Sequence, residues 1–331
     1  MITLGIDTSC DDTSVALLNG DNKILSNIVS SQVDLHRFFG GVVPEIASRK
    51  HVELIDTIYA NALEEAGISS RDIDLISVTN GPGLIGSILV GLCFAKGLVC
   101  ALEKPLVAVN HVEAHAMSIF LENKMDFPFI ALVVSGGHTI ILLFKDFCDF
   151  VVLGTTRDDA AGEAFDKIAK FLNIGYPGGK VIEDMAIGGI GDYVLFPRPM
   201  KDDPNYDFSF SGLKTSFINY INKNGFSDEN LMHILSSFQE AVCDLLSFKV
   251  MKAAQRYGIK RIVVGGGVAA NKRLREVFSE KAATSNLDVR FSSTQFCTDN
   301  GAMIAVTGYN YYKKGIVSSL DIRGYSRMAM S

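Results

Sequence analysis

The chain has 331 residues, 48% hydrophobic and 21% charged, with no low-complexity tract. That composition excludes a disordered or collagen-like chain and leaves room for two folded domains. A net charge of −6 gives no global attraction to nucleic acid, so such a partner would need local basic patches or a second protein.

Met1 leads straight into a strand-like run rather than a basic-then-apolar leader, so a cytoplasmic protein is expected. Residues 2–7 read as a strand, 8–12 as a polar turn and 14–18 as a second strand. Asn19-Gly20 is a hairpin signal, and 23–30 is a third strand. A helix is predicted over 44–66, with the apolar stripe Ile55, Tyr59, Ala62 and Ala66, and Gly67 as its stop. Residues 74–78 form a further strand. The stretch 83–102 is long and apolar enough for a membrane span, but Lys96, its glycines and the preceding Gly81-Pro82-Gly83 favour a helix buried between layers, with no membrane partner.

The run 105–110 reads as a short buried strand that ends at His111-Val112-Glu113-Ala114-His115. On a helix this spacing sets two imidazoles one turn apart on one face, within reach of one zinc or iron ion, although surface or capping histidines show the same spacing. The carboxyl end of a strand is where open α/β sheets place their sites. A zinc protease helix reads H-E-x-x-H; here Val112 holds the place of the general base and Glu113 lies about 100° further round, which argues against that chemistry.

The same grammar then recurs: strand 129–134, the tight turn Ser135-Gly136-Gly137-His138, strand 139–144, a third strand 151–155 and a helix from about Ala161. Two such units suggest an internal duplication. A helix is expected over 228–256. The run 261–271 is a β-branched strand entering Gly265-Gly266-Gly267 and then a helix, a geometry that brings backbone close to an anionic ligand or serves as a bare turn. It is neither a P-loop nor a G-x-G-x-x-G dinucleotide site. Facing hairpin turns plus such a loop are the plan of the two-lobed actin, sugar-kinase and heat-shock-ATPase fold. The expected class is therefore α/β, with duplicated mixed-sheet domains and flanking helices. The expected lobes are 1–108 plus 300–331, and 109–299, with the active site in the cleft between them.

Six cysteines without a C-x-x-C pair, mostly in apolar runs, fit reduced and buried thiols; Cys10 and Cys297 fall in loops and are candidate exceptions. Basic clusters at 249–261, 272–275 and 323–327 read as solvated helix faces or tail. Several side chains have plain structural alternatives. His138 would cap its hairpin, Asp166 would pair with Lys170, Asp299 would cap the last helix, and His36 and His51 would be scaffold.

Further segments narrow the reading. They are Gly40-Gly41-Val42-Val43-Pro44-Glu45, Ala47-Ser48-Arg49-Lys50-His51, Asp158-Asp159-Ala160-Ala161-Gly162-Glu163-Ala164-Phe165-Asp166, Pro177-Gly178-Gly179, Phe208-Ser209-Phe210-Ser211-Gly212-Leu213-Lys214 and Cys297-Thr298-Asp299-Asn300-Gly301. With the two histidine segments they resemble, in order from Ile6 to about Met303, the bacterial tRNA threonylcarbamoyladenosine synthesis transferases (TsaD), long misnamed glycoproteases. The resemblance implies transfer of a threonylcarbamoyl group from threonylcarbamoyl-AMP to the exocyclic amine of the adenosine 3′ of the anticodon, in tRNAs reading ANN codons. It implies His111, His115 and Asp299 as ligands of one divalent metal, Fe2+ first and Zn2+ as the alternative. It also implies substrate contacts from Val134, Ser135, Gly136, Gly137, His138, Asp166, Gly179, Glu183 and Asn271, and as partners a paralogue, TsaB, and a small ATPase, TsaE. The Gly136 and Gly137 amides are candidate oxyanion or phosphate donors, and no nucleophile is evident. Asp11, Asp12 and Glu163 are further candidates. Two positions depart from the family pattern: Asp12 stands where glutamate is usual, and Lys180 where proline is. The rival reading is a small-molecule kinase or ATPase of the same superfamily, with Asp7, Asp11 and Asp12 holding magnesium.

Overall fold

The computed structural model describes residues 1–327, which cluster into two units, Met1–Met125 with the segment from Thr298 onward, and Asp126–Cys297. The segment 109–125, expected in the second lobe, thus belongs to the first, because its helix packs on the last helix of the chain.

In the first unit, β1 (Ile2–Asp7), β2 (Asp12–Asn19) and β3 (Lys23–Ser31) form an antiparallel meander. A short α1 (Val33–Arg37) and α2 (Pro44–Ala66) follow. Pro44 occupies the first turn of α2, where no backbone donor is needed, and Gly67 ends it in the left-handed conformation, φ 65°. β4 (Leu75–Gly81) and β5 (Leu106–Asn110) add parallel strands, joined by α3 (Ile85–Leu102), and α4 (His111–Met117) starts where β5 stops. The sheet order is β3-β2-β1-β4-β5. The apolar helix α3 packs on α2 and β4 through Ser87, Ile88, Gly91, Leu92 and Ala95. Its opposite face, with Ile85, Leu89, Cys93 and Cys100, is exposed, so it lies on one layer rather than between two.

The second unit repeats the pattern. β6 (Phe129–Val134), β7 (Thr139–Asp146) and β8 (Asp149–Thr155) form the meander. Helices α5 (Ala161–Leu172), α6 (Gly178–Met185), α7 (Ser211–Asn224) and α8 (Asp228–Tyr257) lead to β9 (Arg261–Gly265). Then come α9 (Lys272–Ser285), β10 (Asp288–Phe291) and α10 (Thr294–Cys297). Reading β8-β7-β6-β9-β10 gives the order and pairing senses of the first sheet, two antiparallel and two parallel ladders. Phe165, Phe196, Phe217 and Phe238 interlock at the centre of its core.

The chain returns to the first unit with α11 (Gly301–Lys313). Gly5 makes this return possible: a Cβ there would stand 2.6 Å from the Ala305 nitrogen, so only glycine lets α11 lie against β1.

Two expectations need correcting. Of the cysteines, only Cys243 and Cys297 are buried; Cys93 and Cys100 lie on the outer face of α3. Lys249 is no solvated side chain but fully buried, its ammonium donating to the Asn205 carbonyl at 2.9 Å.

Candidate metal centre and nucleotide site

In the first unit, Asn110 caps α4 by accepting from the Val112 and Glu113 amides, which fixes the pitch of the helix and aligns its two histidines. His111 and His115 are almost wholly buried, their ring centroids 4.7 Å apart at 75°. Asp299 reaches the same place from the start of α11. It is not the cap expected there; Asn300 is, accepting from the Met303 amide at 2.9 Å. The Gly301 amide donates to Ser14 Oγ at 2.6 Å, anchoring this turn on β2. One carboxylate oxygen, Asp299 Oδ1, stands 3.5 Å from His111 Nε2 and 3.2 Å from His115 Nε2.

Neither ring nitrogen of His115 has a hydrogen-bond partner among the described residues, although the ring is fully buried; the approach to Asp299 lies off the hydrogen-bonding line. A buried imidazole without hydrogen bonds is costly unless something else fills its lone pair. His111 is held from behind: Asp7 Oδ2, at the end of β1, lies 3.2 Å from Nδ1, and Ser9 Oγ 3.1 Å. Once a cation displaces the Nε2 proton, the proton kept on Nδ1 would fix the ring in the carboxylate–histidine arrangement that orients metal-binding rings. Burial alone would lower the pKa of His111, but Asp299 and Asp7 outweigh it and hold it near 9.

Cys10 joins from the β1–β2 turn: its sulfur, His111 and Asp299 offer ligand atoms within 4.8 Å of one another. Burial, then Asp299, Asp11 and Asp7, push its thiol well above the ordinary range, so without a cation it is neither nucleophile nor base. Asp12 is likewise pushed up to about 8, first by burial and then by Asp299. His51 is scaffold: Nδ1 pairs with Thr13 Oγ1 at 2.7 Å and Nε2 with the Cys10 carbonyl at 3.0 Å. So is His36, whose Nδ1 accepts from the Val43 amide. Ser9 and Cys10 were not read as part of a metal centre from sequence, and Asp7 only as a magnesium holder in the rival kinase reading. The one local hint was a buried strand ending in an acid and a polar turn.

In the second unit, the turn 135–138 closes by a bond from the Ser135 amide to the His138 carbonyl at 2.8 Å. Gly162 presses α5 onto it, since a Cβ there would lie 2.6 Å from the Ser135 carbonyl oxygen. From the other side Gly266, at φ 95°, meets the Val134 backbone. Gly136 and Gly137 themselves have open space where a side chain would be, so their backbone is approachable. Asp166 turns to α6, accepting from the amides of Gly178, at 2.7 Å, and Gly179; burial nonetheless raises its carboxyl to about 6. Asn271 caps α9 through Leu274 and donates to Gln239 Oε1 at 2.8 Å. Glu183 accepts from the Lys272 amide at 2.7 Å and so serves the same helix start. A cavity of about 750 Å³ opens here, lined among others by Glu183, Gln239, Glu240, Lys272 and Arg273. Glu163 instead pairs with Lys167 at 2.9 Å and closes back on the Ala160 amide.

Residues 23–306 match the model of one family, tRNA N6-adenosine threonylcarbamoyltransferase. The chain belongs to this family, TsaD. Relatives of that name from Syntrophus aciditrophicus and Thermosipho africanus are 50% and 51% identical over 330 and 321 residues. The matches cover 99% and 96% of this chain and 97% and 96% of theirs. As a TsaD protein the chain is a transferase that forms threonylcarbamoyladenosine in tRNA. Among solved structures, HypF from T. kodakarensis aligns with a TM-score of 0.63 at 14% identity, over 95% of this chain and 48% of that one. The ROK hexokinase of Thermus thermophilus aligns with a TM-score of 0.52 at 13% identity, over 95% of this chain and all of that one. These likenesses establish the expected actin and sugar-kinase fold, and the fold alone.

Proposed function

We propose that this TsaD protein carries out its transfer with one divalent metal ion held by His111, His115 and Asp299, and with threonylcarbamoyl-AMP as donor. The observation that carries the reading is the convergence of two buried imidazole nitrogens on Asp299 Oδ1, with His115 left without a hydrogen bond. Two neutral nitrogens and one carboxylate leave coordination positions open, as in non-haem iron(II) and catalytic zinc sites. The bound ion would polarise an oxygen of the donor.

The chain's own residues do the rest. The Gly136 and Gly137 amides are offered to the phosphate or to the developing oxyanion, with Val134, Ser135 and His138 shaping the turn. Asp166 and Gly179 bound the ribose side, and Asn271 lies at the base side, beside the cavity that Glu183 also lines. Because Glu183 already accepts from Lys272, its contribution to the ribose is made through the remaining oxygen. Adenine's N6 is a weak nucleophile, so the donor must be an activated mixed anhydride. As the N6–carbonyl carbon bond forms, the carbon–oxygen bond to the phosphate breaks, AMP departs and the amine gives up a proton. Holding the two reactants in place is worth roughly 7–11 kcal/mol. No covalent enzyme intermediate is needed.

The acceptor is the adenosine 3′ of the anticodon, and the setting is cytoplasmic, in keeping with six free thiols. TsaB and TsaE are the proposed partners. Val52 on α2 with Ile85 and Leu89 on α3, exposed by 65%, 46% and 45%, form an apolar surface suited to the paralogue.

Metal analysis of the purified protein tests the centre. The wild type is expected to hold one equivalent of iron(II) or zinc and His115→Ala to lose it; equal metal content in both would refute the assignment.

A further inference from the structure

We infer that Cys10 is itself a ligand of this metal, supplying one thiolate sulfur beside His111, His115 and Asp299. The inference rests on the metal reading above and adds a donor to it. Three observations carry it.

The first is geometric. With Zn–S about 2.3 Å and Zn–N about 2.0–2.1 Å, two donors on one tetrahedral ion stand roughly 3.3–3.6 Å apart. Cys10 Sγ, a His111 nitrogen and an Asp299 oxygen already lie within 4.8 Å of one another. A side-chain adjustment of up to roughly 1 Å closes them on a common centre.

The second is independent of the cysteine. His115 is fully buried, has no hydrogen bond from either nitrogen among the described residues, and places Nε2 3.2 Å from the same Asp299 oxygen. The cluster that includes Cys10 thus adjoins an unsatisfied donor, His115, through the shared Asp299 carboxylate.

The third is the rigidity of the turn that carries the sulfur. The Cys10 carbonyl accepts from His51 Nε2, the Ser9 carbonyl from the Leu84 amide at 2.8 Å, and the Asp11 carbonyl from the Gln32 amide at 3.2 Å. Three consecutive residues are therefore tied to α2, to the start of α3 and to the end of β3. The thiol is held beside His111 rather than left to swing, which lowers the entropic cost of ligation.

Ligation exchanges one bond for another: the sulfur–proton bond breaks, the proton goes to solvent and a sulfur–metal bond forms. A sulfur donor also selects. It favours iron(II), zinc or cobalt(II) over magnesium, which takes oxygen ligands.

Cobalt(II) titration into the metal-free full-length chain tests this, because thiolate ligation adds a sulfur-to-cobalt charge-transfer band in the near ultraviolet to the weak visible bands. The wild type should show both at one equivalent. Cys10→Ser should keep the visible bands and lose the charge-transfer band, and His115→Ala should lose tight binding. Visible bands without charge transfer in the wild type, or a charge-transfer band that survives Cys10→Ser, would remove Cys10 from the centre and leave the three-residue site standing. Failure of the wild type to bind one equivalent would sink both. Should Cys10→Ser not fold, zinc K-edge X-ray absorption of the wild type decides: one sulfur neighbour at about 2.3 Å is expected among the nitrogen and oxygen ligands, and a shell of nitrogen and oxygen alone would contradict the proposal.

Discussion

Glu113 sits between the two histidines in sequence, yet it faces elsewhere. Its neighbour is Tyr325, whose hydroxyl takes a hydrogen bond from Asn110 and whose pKa rises to about 12 through burial and the charge of Glu113. Burial alone lifts the Glu113 carboxyl from 4.5 to about 8. The sign follows: an acid with a raised folded pKa gives its full contribution to stability below 4.5 and loses it as pH climbs through about 8. Each pKa unit is worth about 1.4 kcal/mol. In chelator-treated protein, Glu113→Gln should therefore unfold like the wild type in acid and be more stable above pH 8 by on the order of 2–4 kcal/mol. Denaturant titration at both pH values checks it; an equal midpoint shift at each would mean that Glu113 is not a buried, neutral acid. The two histidines were legible from their spacing. Asp299 was reached only through family resemblance, because nothing local marks that carboxylate as a ligand once Asn300 is the cap. The contacts of Asp7 and Ser9 with His111 were missed because they span about a hundred residues, which periodicity cannot see.

At the scale of elements, glycines fix how strands and helices approach the two sites. Gly266 combines a left-handed φ of 95° with direct contact on the Val134 backbone. Gly266→Ala should cost at least about 1–3 kcal/mol from the backbone conformation alone and distort the 134–138 turn. Thermal melts with tRNA-modification assays would read both, and an unchanged melting point with full activity would show the contact to be slack. The duplicated meander was legible because hairpin turns and alternating apolar runs recur in the same order. β10 was not predicted: Asp288 and Arg290 interrupt the apolar pattern of a four-residue edge strand. α3 passed the length test for a membrane span. What distinguishes it is the face of Ser87, Gly91 and Ala95 packed against its own unit, which a window average conceals.

Over the whole molecule, charge tells against unaided tRNA binding. The basic clusters are largely spent internally. Lys249 and Lys252 donate to the carbonyls of Asn205 and Asp203, Arg273 pairs with Glu240, and Arg275 holds the carbonyls of Ala269 and Ser292; outside the clusters, Lys201 and Lys281 clamp Asp244, whose carboxyl falls to about 2. With a net charge of −6, the chain offers tRNA no global electrostatic attraction. On the proposed docking surface, Leu89→Asp is expected to abolish the sedimentation shift predicted for mixing with TsaB while leaving the melting temperature of the chain alone unchanged; an intact complex would move the docking surface elsewhere.

Nucleoside analysis of total tRNA from cells whose only copy of this protein carries Asp299→Ala tests the central claim most directly. On the proposed metal reading, loss of the carboxylate leaves the two imidazoles unable to hold the ion in a working geometry. The account predicts that threonylcarbamoyladenosine disappears while the variant protein stays folded and abundant. Wild-type levels of the modified nucleoside would contradict it.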